Sequence, residues 1–162
     1  MQLNKSCRDS YAAHPVDDDG FPTGDTSKIV NNIASCSRSY ALGNLKNMIN
    51  DYTITNGIDL DDIDIKVIVH SGGGFLMLND TGENGHGDVS GRNKFQSKVE
   101  ELMNDYGVRF YFCQNTARSF MKKGILPAGD ATAQLIDGVE YVTAGVTAIA
   151  DLQKQGYKYV QP

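Results

Sequence analysis

Apolar residues along the chain follow two rhythms, one suited to strands and one to helices. Lys28–Ile33, Ile63–His70 and Val108–Phe112 are short runs rich in Ile, Val and Phe, the pattern of strands buried in a sheet. Between the first two, Tyr40, Leu42, Leu45, Met48, Ile49 and Tyr52 fall on one stripe at helical spacing. Ser37 or Ser39 would open that helix and Asn56-Gly57 would end it. A second helix is predicted over Arg92–Asp105, with Phe95, Val99, Leu102 and Met103 inward. After Val108–Phe112 a short helix over Thr116–Lys123 is expected, capped by Asn115 or Thr116. Gly124 to Gly129 reads as a turn-rich connection, because Pro127 discourages helix continuation. Ala131–Ile136 suits a single helical turn and Val139–Val142 a short strand. Gly145–Gln155 suits a last helix, stopped by Gly156, and Tyr157–Val160 a terminal strand.

Strands that alternate with helices predict a three-layer α/β/α sandwich around a mainly parallel sheet of about five strands. Residues 1–26 break the pattern. Asp17-Asp18-Asp19-Gly20 and Phe21-Pro22-Thr23-Gly24-Asp25 are turn formers without periodicity, so an irregular arm is expected ahead of a domain over residues 27–162. The three aspartates read as a solvated acidic turn, since adjacent side chains diverge along an extended chain and no ligand partner is visible. At 162 residues and 17.7 kDa the chain suffices for one domain with a substantial core.

Charge and cysteine usage narrow the function. A net charge of −5 and a pI near 5.0, with scattered Lys and Arg, argue against nucleic-acid binding. No apolar run is long enough to span a membrane. Residues 1–7 lack the apolar region of a signal peptide, which leaves the compartment open between the cytoplasm and export after loss of a leader. Cys7, Cys36 and Cys113 are odd in number, so they cannot all pair within the chain. Without CxxC or zinc-like Cys/His spacing, no metal is expected. Both GxGxxG and the GxxxxGK[ST] phosphate loop are missing, and Asn79–Gly91, despite Asp80, Glu83, His86 and Asp88, does not make a calcium loop. That segment reads as a solvated loop or a lid.

Candidate chemistry gathers at strand ends. Cys113 closes an apolar strand just ahead of a helix, where ligands collect in α/β folds and helix amides favour a thiolate. His70 ends the preceding strand; if the two strands are neighbours, both side chains reach one edge of the sheet. There His70 would accept a proton from the thiol, stabilise the thiolate, or serve as a structural hydrogen-bonding residue. The turn Ser71-Gly72-Gly73-Gly74 suits an anion-binding or thiol-shielding loop as well as a plain tight turn. Asn115 and Thr116 would bind a sulfur-linked guest or cap the helix, and Arg118 would attract an anionic sulfur species or face solvent. No Ser-His-Asp order, paired glycosidase-like carboxylates or HExxH motif favours hydrolysis.

Ile65–Gly73, Gly107–Thr116, Val142–Val146 and the ending Asp151–Pro162 together resemble the DsrE/DsrF-like family, over about residues 27 to 162. The resemblance implies a compact α/β/α domain that assembles into homo-oligomers. In sulfur-relay members a cysteine takes sulfane sulfur as a persulfide and passes it to a protein thiol. Cys113 matches that cysteine, and no cofactor is needed. Donor and acceptor proteins would then be its partners. The alternative is a noncatalytic oligomeric protein binding a small anion or metabolite, with Cys113 merely lining the pocket. The residues alone do not decide whether the chain is an enzyme.

Overall fold

Nine regular elements alternate as the hydrophobic pattern predicts, in a computed structural model that describes residues 28–35, 38–79 and 93–161. They are β1 (Lys28–Ile33), α1 (Tyr40–Asn50), β2 (Asp64–Val69), α2 (Gln96–Tyr106), β3 (Arg109–Cys113), α3 (Gln114–Lys122), β4 (Glu140–Val142), α4 (Gly145–Lys154) and β5 (Lys158–Val160). The strands form one sheet in the order β4-β3-β2-β1-β5, and every pair is parallel. This is the expected α/β sandwich.

Topology follows from the handedness of parallel crossovers. From β1 to β4 the chain steps across the sheet in one direction, which keeps α1, α2 and α3 on one face. It then returns from β4 to β5 at the far edge, which puts α4 on the other. Side-chain alternation matches this division. Ile29, Ile33, Ile65, Val67, Val69, Phe110 and Phe112 point into the larger core with Leu42, Leu45, Val99, Leu102 and Phe120. Val30 and Ile68 point the other way, toward Ala148, Ile149 and Leu152 of α4. Burying a Leu, Ile or Phe contributes roughly 1.5–3 kcal/mol, so the first face carries most of the apolar stabilisation.

Several boundaries differ from the sequence expectation. α1 widens after Asn50 into a single π-helical turn, Asp51–Thr55, which buries Tyr52; Gly57, at φ 68°, follows its close. α2 starts at Gln96 and not at Arg92. Asn93 is buried, donates Nδ2 to the carbonyls of Leu76 and Leu78, and accepts the Phe95 amide on Oδ1. A side chain tied to a neighbouring segment in this way fixes an Asx turn ahead of the helix. α3 begins at Gln114, so strand and helix meet with no intervening cap loop. The expected arm over 1–26, Ser37, and the loop from Asp80 to Gly91 lie outside the described residues.

Ser71–Met77 forms a 3-10 segment between β2 and the second helix. Its glycines are explained by packing. A Cβ on Gly73 would sit 2.3 Å from the Ile33 carbonyl oxygen, and one on Gly74 would sit 2.6 Å from a Phe112 ring carbon. Both residues are buried, and the segment lies against the ends of β1 and β3 only because they lack side chains.

Candidate functional site

β3 feeds α3 on one face of the sheet, whereas the adjacent β4 feeds α4 on the other. Two neighbouring connections that part in this way open a crevice at the carboxyl edge of the strands. A cleft of about 540 Å³ lies there. Cys113, His70, Ser71, Gly72 and Gly145 line it from the strand ends, and Asn115, Thr116, Ser119 and Lys123 from α3 and the turn after it. Phe75, Phe120, Ile125 and Val146 supply apolar wall.

Cys113 is the last residue of β3 and occupies the N-cap position of α3. It is 5% exposed and forms no disulfide. The Gly145 amide, first in α4, donates to its Sγ at 3.3 Å. Burial alone would push the thiol up. The amides of Thr116, Gly145 and Asn115 and the Thr116 hydroxyl outweigh that burial and hold the thiol below its ordinary value of 9.0. The sulfur thus sits at the head of α3 without a side-chain capping bond, beside donors that favour negative charge.

His70 lies one step beyond the Val69–Phe112 register pair, as Cys113 does on the next strand. The two strands are neighbours, and both residues line the same cleft. The imidazole is nonetheless committed elsewhere. Its Nε2 lies 2.9 Å from Asn32 Oδ1 and its Nδ1 lies 3.0 Å from Ser71 Oγ. Of the roles open to His70, hydrogen bonding within the site is therefore the one visible, and burial lowers its pKa from 6.5. The ring also packs on Gly145: a Cβ there would lie 3.2 Å from His70 Cδ2. Gly145 is thus held between the imidazole and the thiol.

Ser71 adopts φ 51°, the left-handed region that residues with a Cβ avoid at a cost of order 1–3 kcal/mol. Its amide donates to Thr116 Oγ1 at 2.8 Å. Thr116 is therefore no helix cap. It sits in the first turn of α3, joining the Ser71 backbone to the sulfur. Asn115 reaches the cleft, where its Oδ1 accepts from Arg118 at 3.0 Å. Arg118 itself lines a separate hollow with Gln114, Met121, Asp130 and Tyr141. Gly72 alone of the three consecutive glycines lines the cleft. Sequence reasoning did not find Gly145 or Asn32. Asn32 left a faint signal as a polar residue inside an apolar strand, whereas Gly145 read as the start of a helix and as part of the Val142–Val146 resemblance, with no sign of its contact to the sulfur. Among the described residues no group of three or more His, Cys, Asp or Glu side chains could hold a metal ion. None of the described helices is long and apolar enough to cross a membrane.

Fold and site together define a small α/β/α protein with a buried thiol in a cleft at the carboxyl edge of a parallel sheet. The chain belongs to the DsrE/DsrF-like family, whose sequence profile matches residues 22–162. It is similar to the solved structure of MTH1491 from Methanobacterium thermoautotrophicum, described as a protein of unknown function. The two share 25% identity over 83% of this chain and 97% of that one, with a TM-score of 0.59. No curated protein matches the chain.

Proposed function

We propose that the chain binds sulfane sulfur on Cys113 as a persulfide and relays it between thiols. The observation that carries this reading is the set of amides and the hydroxyl that favour the Cys113 thiolate inside a cleft. Family membership is consistent with it. In loading, the Cys113 thiolate attacks the outer sulfur of a donor R–S–SH. A new S–S bond forms, the donor's S–S bond breaks, and R–S⁻ leaves with the electron pair. In unloading, an acceptor thiolate attacks the outer sulfur of Cys113–S–SH and Cys113 leaves as the thiolate. Protein donors and acceptors would select the direction, and the chemistry requires no metal, flavin or nicotinamide.

Self-association belongs to the same proposal. Among the described residues, α4 alone covers the second sheet face, and its Ala148, Ile149 and Leu152 remain partly exposed, with Val146 73% exposed beside the cleft. A second copy on this face would bury that surface.

The test is intact mass after exposure of the reduced protein to polysulfide. Cys113→Ser is expected to lose the sulfur adduct while keeping the fold, and Cys7→Ser and Cys36→Ser to retain it. Unchanged loading of Cys113→Ser would overturn the assignment. Saturable anion binding that survives the substitution, with no adduct on the wild type, would instead favour a noncatalytic metabolite-binding protein using the same 540 Å³ cleft.

A further inference from the structure

The hydrogen bonds behind the cleft run in one direction. Tyr159 donates its hydroxyl to Gln161 Oε1 at 3.3 Å and accepts from Asn32 Nδ2 at 2.9 Å. That orientation leaves Asn32 Oδ1 as an acceptor, so His70 Nε2 carries the hydrogen it donates there at 2.9 Å. His70 Nδ1 is then the basic nitrogen, and the Ser71 hydroxyl donates to it across 3.0 Å. Asn32, His70 and Ser71 reproduce the order of an orienting group, a base and a hydroxyl. The hydroxyl of this set stands on the wall of the cleft that holds Cys113.

We infer that Ser71, backed by His70, receives the proton of the acceptor thiol when sulfur leaves Cys113. The inference rests on the sulfur-relay reading and adds to it a group for the unloading step. An acceptor R′–SH passes its proton to Ser71 Oγ as the Ser71 proton moves to His70 Nδ1. R′–S⁻ attacks the outer sulfur of Cys113–S–SH, the S–S bond of the persulfide breaks, and its electron pair stays on Cys113. The products are R′–S–SH, the Cys113 thiolate and an imidazolium that later returns its proton to water. No oxidant or reductant is consumed. Ser71 touches the incoming thiol, and His70 acts through it as a positioning and proton-accepting residue.

Two features support this assignment. Ser71 keeps its side chain at φ 51° next to three glycines, a conformation that a fourth glycine would adopt without strain. The titratable groups around the imidazole are few: Cys113 from β3, Tyr159 from β5 beyond Asn32, and Lys123 across the cleft. Among the described residues no carboxylate pairs with His70, and burial keeps the ring neutral and able to accept at neutral pH.

The experiment uses the full chain loaded with polysulfide, then unloaded with either of two thiols. 2-Mercaptoethanol is protonated at neutral pH and needs a base, whereas 2-nitro-5-thiobenzoate is already ionised. Ser71→Gly removes the hydroxyl and relieves the backbone, so it tests the role without threatening the fold; His70→Gln is the second variant. Compared at equal extents of loading, both are expected to unload to 2-mercaptoethanol about 10²-fold more slowly than the wild type, with a far smaller effect on unloading to the aryl thiolate. The wild-type rate with 2-mercaptoethanol should also show a limb where the imidazole protonates, below pH 6.5, that His70→Gln lacks. Equal slowing with both thiols, or slowing with neither, would overturn the inference while leaving the carrier reading in place. Failure of the wild type to load at all would overturn both.

Discussion

At the scale of single residues, the contest at Cys113 is between burial, which opposes ionisation, and a ring of donors, which favours it. The donors win, so the folded thiol lies below its ordinary 9.0. Alkylation of native protein by iodoacetamide should therefore follow a pH curve displaced to lower pH than that of a free cysteine. Thr116→Val removes a hydroxyl facing the sulfur and the acceptor of the Ser71 amide. It should move that curve upward and cost about 1–3 kcal/mol of stability for the stranded amide. An unmoved curve would mean that the hydroxyl does not act on the thiol. Linkage supplies a related expectation. Because the folded value is depressed, the thiolate's contribution to stability is present above the unfolded value and is lost as pH falls through the folded one. Urea denaturation across that range should show this slope in wild type and its loss in Cys113→Ser. Cys113 was legible in the sequence because a thiol closing an apolar strand ahead of a helix is a local pattern. Gly145 was not, since its amide reaches the sulfur from 32 positions away and nothing near it in sequence announces that.

At the scale of elements, turn geometry decides what the strand ends can present. The 3-10 segment Ser71–Met77 positions Ser71 only because Gly73 and Gly74 let it lie against Ile33 and Phe112. Gly73→Ala would force its Cβ onto a backbone oxygen, and Gly74→Ala onto a packed aromatic ring. Overpacking of this kind costs typically 1–3 kcal/mol, and Gly73→Ala should fall at the upper end because backbone yields less than a ring edge. Chemical denaturation of the two variants checks this; a loss below about 0.5 kcal/mol for Gly73→Ala, the range of an inconsequential surface change, would contradict the packing account. The run of glycines was visible in the sequence as a tight turn, but its partners were not, because they come from β1 and β3. Helix starts were misplaced for similar reasons. Asn93 spends its side chain on carbonyls of another segment, and α3 needs no cap loop because Cys113 itself takes the cap position.

At the scale of the molecule, alternation of apolar rhythms was enough to give the order of elements and the parallel sheet. Right-handed crossovers then fix which face each helix covers. What periodicity could not supply was the crevice. It arises where β3 and β4 send their helices to opposite faces, a relation between elements that no local pattern encodes. The same asymmetry leaves the second face covered by α4 alone among the described residues, and self-association there predicts a native mass above that of one chain. Val146→Asp, at a residue 73% exposed, should shift light scattering toward the single chain; a wild type that is already monomeric at working concentration would contradict this. Phe112 packs on Phe120, a wall residue of the cleft, at 6.0 Å and on Tyr141 at 5.9 Å between ring centroids. Phe112→Ala should cost about 3–5 kcal/mol and loosen the cleft with it.

The most direct test of the whole account is peptide mapping of reduced wild-type protein after incubation with polysulfide. The account predicts one stoichiometric sulfur adduct on the peptide carrying Cys113, removed by reductant. Polysulfide that labels a control protein yet leaves reduced Cys113 unmodified would contradict it.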